Sequence, residues 1–321
     1  MASFHRFLRI NAGPLSRTSF IKALWLEVPF ELCDSDQGSN EYLAILRHCQ
    51  QVRRLRLSSW YRDISPTLLF HVITTSLMAL EELDLFVRPS VSEKDLRNLT
   101  RLPLRKLRIT GNLFSVRNLL SVIHPLARTL VELSDISFDV LQVPQGASFP
   151  GVRVLGIYYH HSDSFVKTLA TMFPGVTHLN ISGTVVLPQA LGGGLRERNR
   201  QLWQKGFPKA WQSLQAVYAR NIGGLYAIGL ARRVAYLSVP FDRLHILNAE
   251  KTLKLSAVLA DLCPSALELR INLISFHVVN VLDESFQALL QSSPRIILRL
   301  EGLGSDKYDR GSTTLFLVRF P

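Results

Sequence analysis

The stretch Leu104-Arg-Lys-Leu107-Arg-Ile109-Thr-Gly-Asn112 decides the interpretation of the whole chain, because its apolar spacing returns along the sequence. The phrase is an apolar residue, two variable residues, an apolar residue, one variable residue and another apolar residue. Its ending has the period of two that is typical of a β-strand with one buried face. Repetition of this kind indicates stacked copies of one structural unit. Other copies begin at Ile21, Val52, Leu80, Val152, Val176, Leu214 and Val234, with a distorted copy over 130–136 and strands centred on Leu269 and Leu298.

Helical patterns separate these predicted strands. The central leucines of the copies from Leu55 to Leu179 lie 22 to 28 residues apart, which accommodates one strand and one helix. Between them, apolar residues recur three and four positions apart, and Pro174 and Pro264 stand where a helix should end. We therefore predict an α/β fold in which a helix follows each parallel strand. The predicted helices cover 66–77, 115–123, 162–170, 244–262 and 284–290.

One long interruption breaks the period, over about residues 184–210. It contains Gly192, Gly193 and Gly194, which we predict to form a loop, followed by a charged amphipathic stretch over 195–203. No shift in composition elsewhere suggests a second domain. We therefore predict one continuous solenoid over residues 1–321 with an insertion at 184–210.

Composition restricts the class of protein further. Apolar residues make up 47% of the chain and charged residues 19%, a balance that favours a folded chain with a large core. Cys33, Cys49 and Cys263 are odd in number and widely spaced, which fits neither a disulfide framework nor a paired zinc motif. No secretory signal and no apolar run of about 18 residues is evident. We expect a cytoplasmic or nuclear protein with no membrane contact and no cofactor.

The formal charge of +12 raises the possibility of an acidic partner, including nucleic acid. The basic residues are dispersed, however. They form only short groups, without the run of basic residues that marks a nucleic-acid-binding tail. A basic solenoid that binds nucleic acid or another acidic partner is therefore the alternative function. The short groups are Arg53, Arg54 and Arg56; Arg196, Arg198 and Arg200; and Arg232 and Arg233.

The stretch from Leu104 to Asn112 matches the leucine-rich-repeat core LxxLxLxxN at every fixed position, and the other copies match its three apolar places. Cys49 ahead of Val52, and Cys263 with Pro264, resemble the cysteine-containing subclass of that repeat. The pattern as a whole is similar to divergent fungal F-box/leucine-rich-repeat proteins. This resemblance implies an irregular solenoid with a curved parallel sheet on its concave side and helices on its convex side.

In the family that the chain resembles, the solenoid captures a substrate or regulatory protein, and an N-terminal F-box binds the adaptor of a cullin-type ubiquitin ligase. The resemblance therefore implies a non-enzymatic protein-protein interaction module, the substrate-recognition arm of such an adaptor. Two departures stand out. Only the phrase from Val28 to Leu32 imitates the opening of an F-box, and the repeat asparagine is replaced by residues such as Trp60 and Arg88.

A concave interaction face follows from the strand period. If the leucines of each strand face the core, their neighbours lie on the opposite face of the sheet. These neighbours include aromatic residues and arginines, which often anchor protein interfaces, alongside carboxylates that could neutralise the cations. Ordinary solvated sheet residues remain the other interpretation. The predicted partner-binding residues are Trp25, Arg54, Arg56, Asp84, Phe86, Lys106, Arg108, Tyr158, His178, Asn180, Tyr218, Arg220 and Tyr236.

Catalytic motifs are weak by comparison. His160, His161 and Asp163 form the tightest polar cluster, but adjacent histidines on a strand point to opposite faces. Gly192 to Gly194 lacks the lysine of a phosphate loop, and Gly302 and Gly304 lack the third glycine of a dinucleotide site. Cys33 has no neighbouring base. We predict no catalytic, metal-binding or cofactor-binding residue.

Overall fold

The computed structural model describes residues 20–26, 36–58, 64–87, 91–111, 119–137, 146–159, 164–182, 189–241, 249–272, 295–301 and 314–318. The chain divides into two compact units, residues 1–152 (unit 1) and residues 153–321 (unit 2). Both units alternate strands with helices. The predicted α/β fold with parallel strands is therefore confirmed, whereas the continuity of one solenoid over residues 1–321 stays a prediction.

Unit 1 contains five parallel strands and four helices, counting only the residues that the structure describes. Their bounds are β1 (Ala23–Leu26), α1 (Asp36–His48), β2 (Arg54–Leu57), α2 (Pro66–Ser76), β3 (Glu82–Val87), α3 (Glu93–Asn98), β4 (Lys106–Gly111), α4 (Leu119–Ile123) and β5 (Glu132–Ser137). Short 3-10 turns, Leu99–Arg101 and His124–Leu126, extend α3 and α4. The strands pair in chain order from β1 to β5.

In unit 2, strands and helices alternate from β6 to β10, and the two further strands described are β11 and β12. Its bounds are β6 (Val154–Tyr158), α5 (Phe165–Met172), β7 (His178–Ser182), α6 (Gln189–Gln201), β8 (Ala216–Ala219), α7 (Ile222–Ile228), β9 (Tyr236–Phe241), α8 (Ala249–Leu262), β10 (Ala266–Asn272), β11 (Ile296–Glu301) and β12 (Thr314–Val318). Strands β6 to β11 pair in parallel and in chain order. The exception to the repeat is β12, which is antiparallel to β11.

The core of each unit contains a ladder of the central apolar residues. In register across the strands, these side chains are at most 6% exposed. Fully burying one such side chain contributes about 1.5–3 kcal/mol, so a one-residue slip of register would be costly. The ladder consists of Leu24, Leu55, Leu83, Leu107 and Leu133 in unit 1, and of Leu155, Leu179, Val217, Leu237, Leu267 and Ile296 in unit 2.

A second repeated feature stands just before several of the strands. The carbonyl oxygen of Arg53 accepts hydrogen bonds from two consecutive N–H groups of the next repeat, those of Glu81 and Glu82, both at 2.9 Å. The carbonyl of Glu81 does the same for Arg105 and Lys106, and in unit 2 the carbonyl of Thr177 does so for Gln215 and Ala216. Backbone pairing therefore sets the same register at successive repeats, independently of the side chains.

The structure differs from the sequence-based prediction at two places. Asp36–His48 is helical, although the first predicted helix begins at residue 66. Gly192 to Gly194 lies inside α6, not in a loop. A glycine in a helix costs about 1 kcal/mol relative to alanine, so tertiary contacts made by the rest of α6 must offset this cost.

Those contacts join α6, and the π-helical turn Leu202–Gly206 that follows it, to α7. Asn199 in α6 donates from Nδ2 to the carbonyl of Ala227 at 2.8 Å, and Trp203 in the turn donates from Nε1 to the carbonyl of Ile228 at 3.1 Å. Gly229 has φ +59°, and a Cβ there would lie 2.5 Å from the Arg196 carbonyl oxygen. The predicted insertion thus leaves the sheet intact, because β7 and β8 still pair directly, from His178 with Ala216 onward.

Candidate interaction surfaces

The exposed face of the unit 1 sheet, called here the unit 1 face, carries charged side chains in a regular order. Because the strands are in register, the two charged residues of one strand stand beside two residues of opposite charge on the neighbouring strand. Successive strands alternate in sign across the face. The residues are Arg54 and Arg56 on β2, Glu82 and Asp84 on β3, Lys106 and Arg108 on β4, and Glu132 and Asp135 on β5.

These charges form ion pairs across the strands. Lys106 Nζ lies 3.1 Å from Glu82 Oε1 and 4.0 Å from Glu132 Oε2. Asp84 Oδ2 is shared by two arginines, at 3.4 Å from Arg56 Nε and 3.7 Å from Arg108 Nη1. All of these side chains keep part of their surface in water, so each pair contributes little stability by itself. The network instead fixes the positions of the charged groups on the unit 1 face.

Asp135 joins the unit 1 face through an unusual backbone conformation. Its φ is +59°, a left-handed value that aspartate tolerates better than most residues. The register between β4 and β5 ends where Arg108 faces Ser134. Arg108 Nε then donates to Asp135 Oδ2 at 2.5 Å. The distorted copy predicted over 130–136 is therefore a strand whose distortion supplies a carboxylate.

Large aromatic side chains flank the charges of the unit 1 face. Trp25, in register with Arg56, is 74% exposed, and Phe86 on β3 is 43% exposed. A shallow depression of about 280 Å³ runs from Trp25 across the charged residues to Glu132. Exposed aromatic side chains beside arginines are typical of protein-binding surfaces.

The exposed face of the unit 2 sheet, called the unit 2 face, centres on a buried carboxylate. Glu268 on β10 is only 5% exposed. Its Oε2 accepts a hydrogen bond from the Tyr236 hydroxyl, its Oε1 accepts one from Ser238 Oγ at 3.0 Å, and Arg299 Nη1 lies 3.6 Å from Oε1. Burial, and then the Glu268 carboxylate, raise the pKa of Tyr236 above its ordinary range. Glu268 therefore holds Tyr236 in one orientation.

Tyr218 packs beside this cluster. Its ring centroid lies 5.5 Å from that of Tyr236, with the planes tilted by 49°, and its side chain is exposed. Neighbouring strands add Tyr158, His178 and Asn180, all half-buried, and exposed Arg220 follows β8. The unit 2 face is therefore aromatic around one buried acid, whereas the unit 1 face is a network of ion pairs that are partly exposed, apart from the buried carboxylate of Asp135.

The basic groups of the sequence are largely used within the fold. Arg196 pairs with Asp261, and Arg200 Nε lies 3.1 Å from Asp261 Oδ1. Arg232 Nη2 donates to three carbonyls, including that of Trp203 at 2.8 Å. Arg53 Nη1 lies 3.3 Å from Glu81 Oε1. These cations stabilise loops and helices rather than forming one free basic surface.

All predicted partner-binding residues lie on the exposed faces of the two units, and none of them is buried. Unit 1 brings Arg56, Asp84, Lys106 and Arg108 into one network, with Trp25, Arg54 and Phe86 around it. Unit 2 brings Tyr218 and Tyr236 together. Whether these residues bind a partner stays a prediction.

Four residues that organise the unit 2 face were not predicted from the sequence, namely Ser238, Glu268, Arg270 and Arg299. The same rule finds them, because Glu268 and Arg270 alternate with Leu267, Leu269 and Ile271 on β10. Arg270 Nη2 donates to the Ala219 carbonyl. Their importance depends on tertiary structure, since the sequence does not show that a glutamate on this face is buried.

The candidates for catalysis gain no support. His160, His161, Asp163, Cys33 and the glycines at 302 and 304 lie outside the described residues, as does the F-box-like phrase over 28–32. Among the residues that are described, no cluster of histidine, cysteine or acidic side chains could hold a metal ion. Burial raises the pKa of the Cys49 thiol to about 11, which disfavours the reactive thiolate. Of the helices described, none could cross a bilayer.

Comparison with known proteins adds no family. No protein-family model matches the chain, and no curated protein matches it. The arrangement of residues on the two faces is therefore the basis for any functional proposal.

Proposed function

We propose that the chain is a non-enzymatic leucine-rich-repeat interaction module that holds a protein partner on its exposed sheet faces, as the substrate-recognition arm of an F-box-type ubiquitin-ligase adaptor. Support for the repeat comes from the ladder of apolar residues and from the paired carbonyl contacts before successive strands. Support for the ligase role is the sequence resemblance alone.

The single observation that carries partner binding is the exposure of Trp25. A tryptophan that is 74% exposed, next to Arg56 and above a depression of about 280 Å³, leaves apolar area in water. Burying this area against a partner is favourable, and tryptophan and arginine are enriched among residues that dominate binding energy. Phe86 extends the same apolar contribution along β3.

Nucleic-acid binding is the weaker alternative. A phosphate backbone needs several free cations, and its binding weakens steeply as salt is added. On the unit 1 face, carboxylates stand within 4.0 Å of Arg56, Lys106 and Arg108. A continuous anion would have to displace these carboxylates, whereas a protein surface can present groups of both signs.

The test is affinity purification of the full chain from its native source, followed by quantitative binding of the recovered partner to variants. Trp25→Ala with Phe86→Ala should weaken that binding by about thirtyfold or more, since two anchors of the interface are removed. Recovery of a cullin with its adaptor would support the ligase role.

The matched control is Met78→Ala. Met78 is a large apolar residue that is 58% exposed, in the turn between α2 and β3 and outside the face. Its substitution should leave binding within about twofold of the original chain, as surface changes usually do. Equal losses for the control and the double variant would contradict the proposal.

A further inference from the structure

We propose that the corner of the unit 1 face formed by Trp25, Arg54 and Arg56 binds an acidic segment of a partner protein. Arg54 holds a carboxylate of that segment, and an adjoining apolar side chain packs against the Trp25 indole. This inference rests on the proposed function, because it names the chemistry of the partner at the same surface.

The charge order of the unit 1 face is incomplete at this corner. The cations of β4 have carboxylates on both sides, since Lys106 contacts Glu82 and Glu132. Among the described residues, the cations of β2 have carboxylates only on the β3 side, because β1 presents Ala23 opposite Arg54 and Trp25 opposite Arg56. The two arginines of β2 are therefore less well neutralised than the cations of β4.

Arg54 is the extreme case. Glu82, which is in register with Arg54, pairs instead with Lys106, and Glu82 Oε1 lies 3.1 Å from Lys106 Nζ. No carboxylate of the described residues lies within ion-pair distance of Arg54. Its side chain is exposed. A guanidinium presents a planar fork of donors that matches a carboxylate with two parallel hydrogen bonds. Arg54 is therefore placed to accept one carboxylate without displacing another.

Trp25 adds an apolar contact beside that cation. Successive residues on one face of a strand stand about 7 Å apart, so Arg54 and Arg56 both lie within reach of a short segment that covers Trp25. The depression over these residues begins at Trp25 and includes both arginines. The corner combines an arginine that has no carboxylate partner among the described residues with an exposed indole, which fits an acidic residue next to an apolar one.

The rest of the depression favours a local acidic segment over a phosphate backbone. Beyond the two arginines, Lys106 and Arg108 also line it, but they are paired there with Glu82, Asp84 and Glu132. These carboxylates would repel a chain of regularly spaced phosphates that ran on across the face. A peptide that carries acidic residues at one end only avoids this repulsion.

The experiment uses the full chain and a short fluorescein-labelled peptide in which two adjoining glutamates precede leucines, measured by fluorescence anisotropy at low salt. Comparison peptides carry glutamine or lysine in place of the glutamates, and a labelled single-stranded oligonucleotide is a separate probe. The variants are Arg54→Gln and Trp25→Ala. Arg53→Gln is the matched control, because it removes the same charge from the neighbouring position, where the arginine already pairs with Glu81.

We expect Arg54→Gln to weaken binding of the glutamate peptide about tenfold or more, as loss of a charge-assisted pair does, and Trp25→Ala to have a similar effect. Arg53→Gln should change it by less than about twofold, and the glutamine and lysine peptides should bind at least about tenfold more weakly. Circular dichroism of each variant checks that the fold is retained.

Equal losses for Arg54→Gln and Arg53→Gln would overturn the inference, since binding would then depend only on net charge. Oligonucleotide binding that requires Arg54 and exceeds peptide binding would also overturn it. The native partner separates the two proposals. If its binding is lost with Trp25→Ala and Phe86→Ala but unchanged with Arg54→Gln, the acidic-segment inference fails and the proposed function stands.

Discussion

The exposed faces of the two units both carry charged side chains, but in different environments. On the unit 1 face, cations and carboxylates alternate between strands and remain partly solvated, as for Asp84 between Arg56 and Arg108. On the unit 2 face, Glu268 is buried, and its partners Tyr236 and Ser238 satisfy it by hydrogen bonds. We therefore expect the ion pairs of the unit 1 face to be exchangeable, and the hydrogen-bonded cluster around Glu268 on the unit 2 face to be fixed.

The largest expected effect of a face substitution is that of Glu268→Ala. It removes a buried acceptor of two hydrogen bonds and leaves Arg299 without its carboxylate, which should lower the free energy of unfolding by about 2–3 kcal/mol. Urea denaturation followed by circular dichroism measures this loss. Glu268→Gln keeps the shape and part of the hydrogen bonding, so it should cost less. A cost below about 0.5 kcal/mol for Glu268→Ala would remove the contrast between the faces.

An intermediate effect is expected from Tyr236→Phe, and it depends on pH. The raised pKa of Tyr236 means that the folded state keeps the phenol proton where the unfolded state loses it. The contribution is fully present below the ordinary tyrosine value of about 10 and is lost as pH rises above it, by up to about 1.4 kcal/mol per pH unit. Near neutral pH the lost hydrogen bond costs about 1 kcal/mol.

Denaturation curves between about pH 8 and pH 11 bracket that ordinary value and test the alkaline effect. The fall in stability should be shallower in Tyr236→Phe than in the original chain. Tyr159, whose pKa burial raises to about 12, still contributes in the same range, so part of the slope should persist. Identical slopes with and without the Tyr236 hydroxyl would show that burial and the Glu268 carboxylate do not hold the phenol proton in the folded state.

The smallest expected effect is that of Asp84→Ala on the unit 1 face. Although Asp84 contacts two arginines, the pairs are partly exposed, so the loss should be about 1 kcal/mol or less and should shrink further in high salt. The same urea measurement, made at low and high salt, gives the comparison with Glu268→Ala. A loss equal to that of Glu268→Ala would indicate that the unit 1 network is structural rather than exchangeable.

Much of the fold could be predicted because the spacing of the apolar residues specifies the strands and their buried face. The spacing from Leu104 to Ile109 repeats often enough that the parallel strands, their buried leucines and most of the exposed residues follow from period two alone. The helix α6 could not be predicted, because three glycines disfavour it locally. The contacts with α7 made by Asn199 in α6, and by Trp203 in the turn after it, appear only when the chain is folded.

The features of the two exposed faces likewise fall into those that the sequence determines and those that depend on tertiary structure. Trp25 and the alternating charges from Arg54 to Arg108 are on one face because side chains of a strand alternate, and this the sequence alone determines. Whether a charge is paired or free depends on its neighbours across the sheet, and so does whether a carboxylate is buried. Tertiary structure therefore decided three features, since the register brings together residues more than 20 positions apart. Arg54 has no described carboxylate partner, and the left-handed backbone of Asp135 turns its carboxylate toward Arg108. Glu268 is enclosed by Tyr236, Ser238 and Arg299.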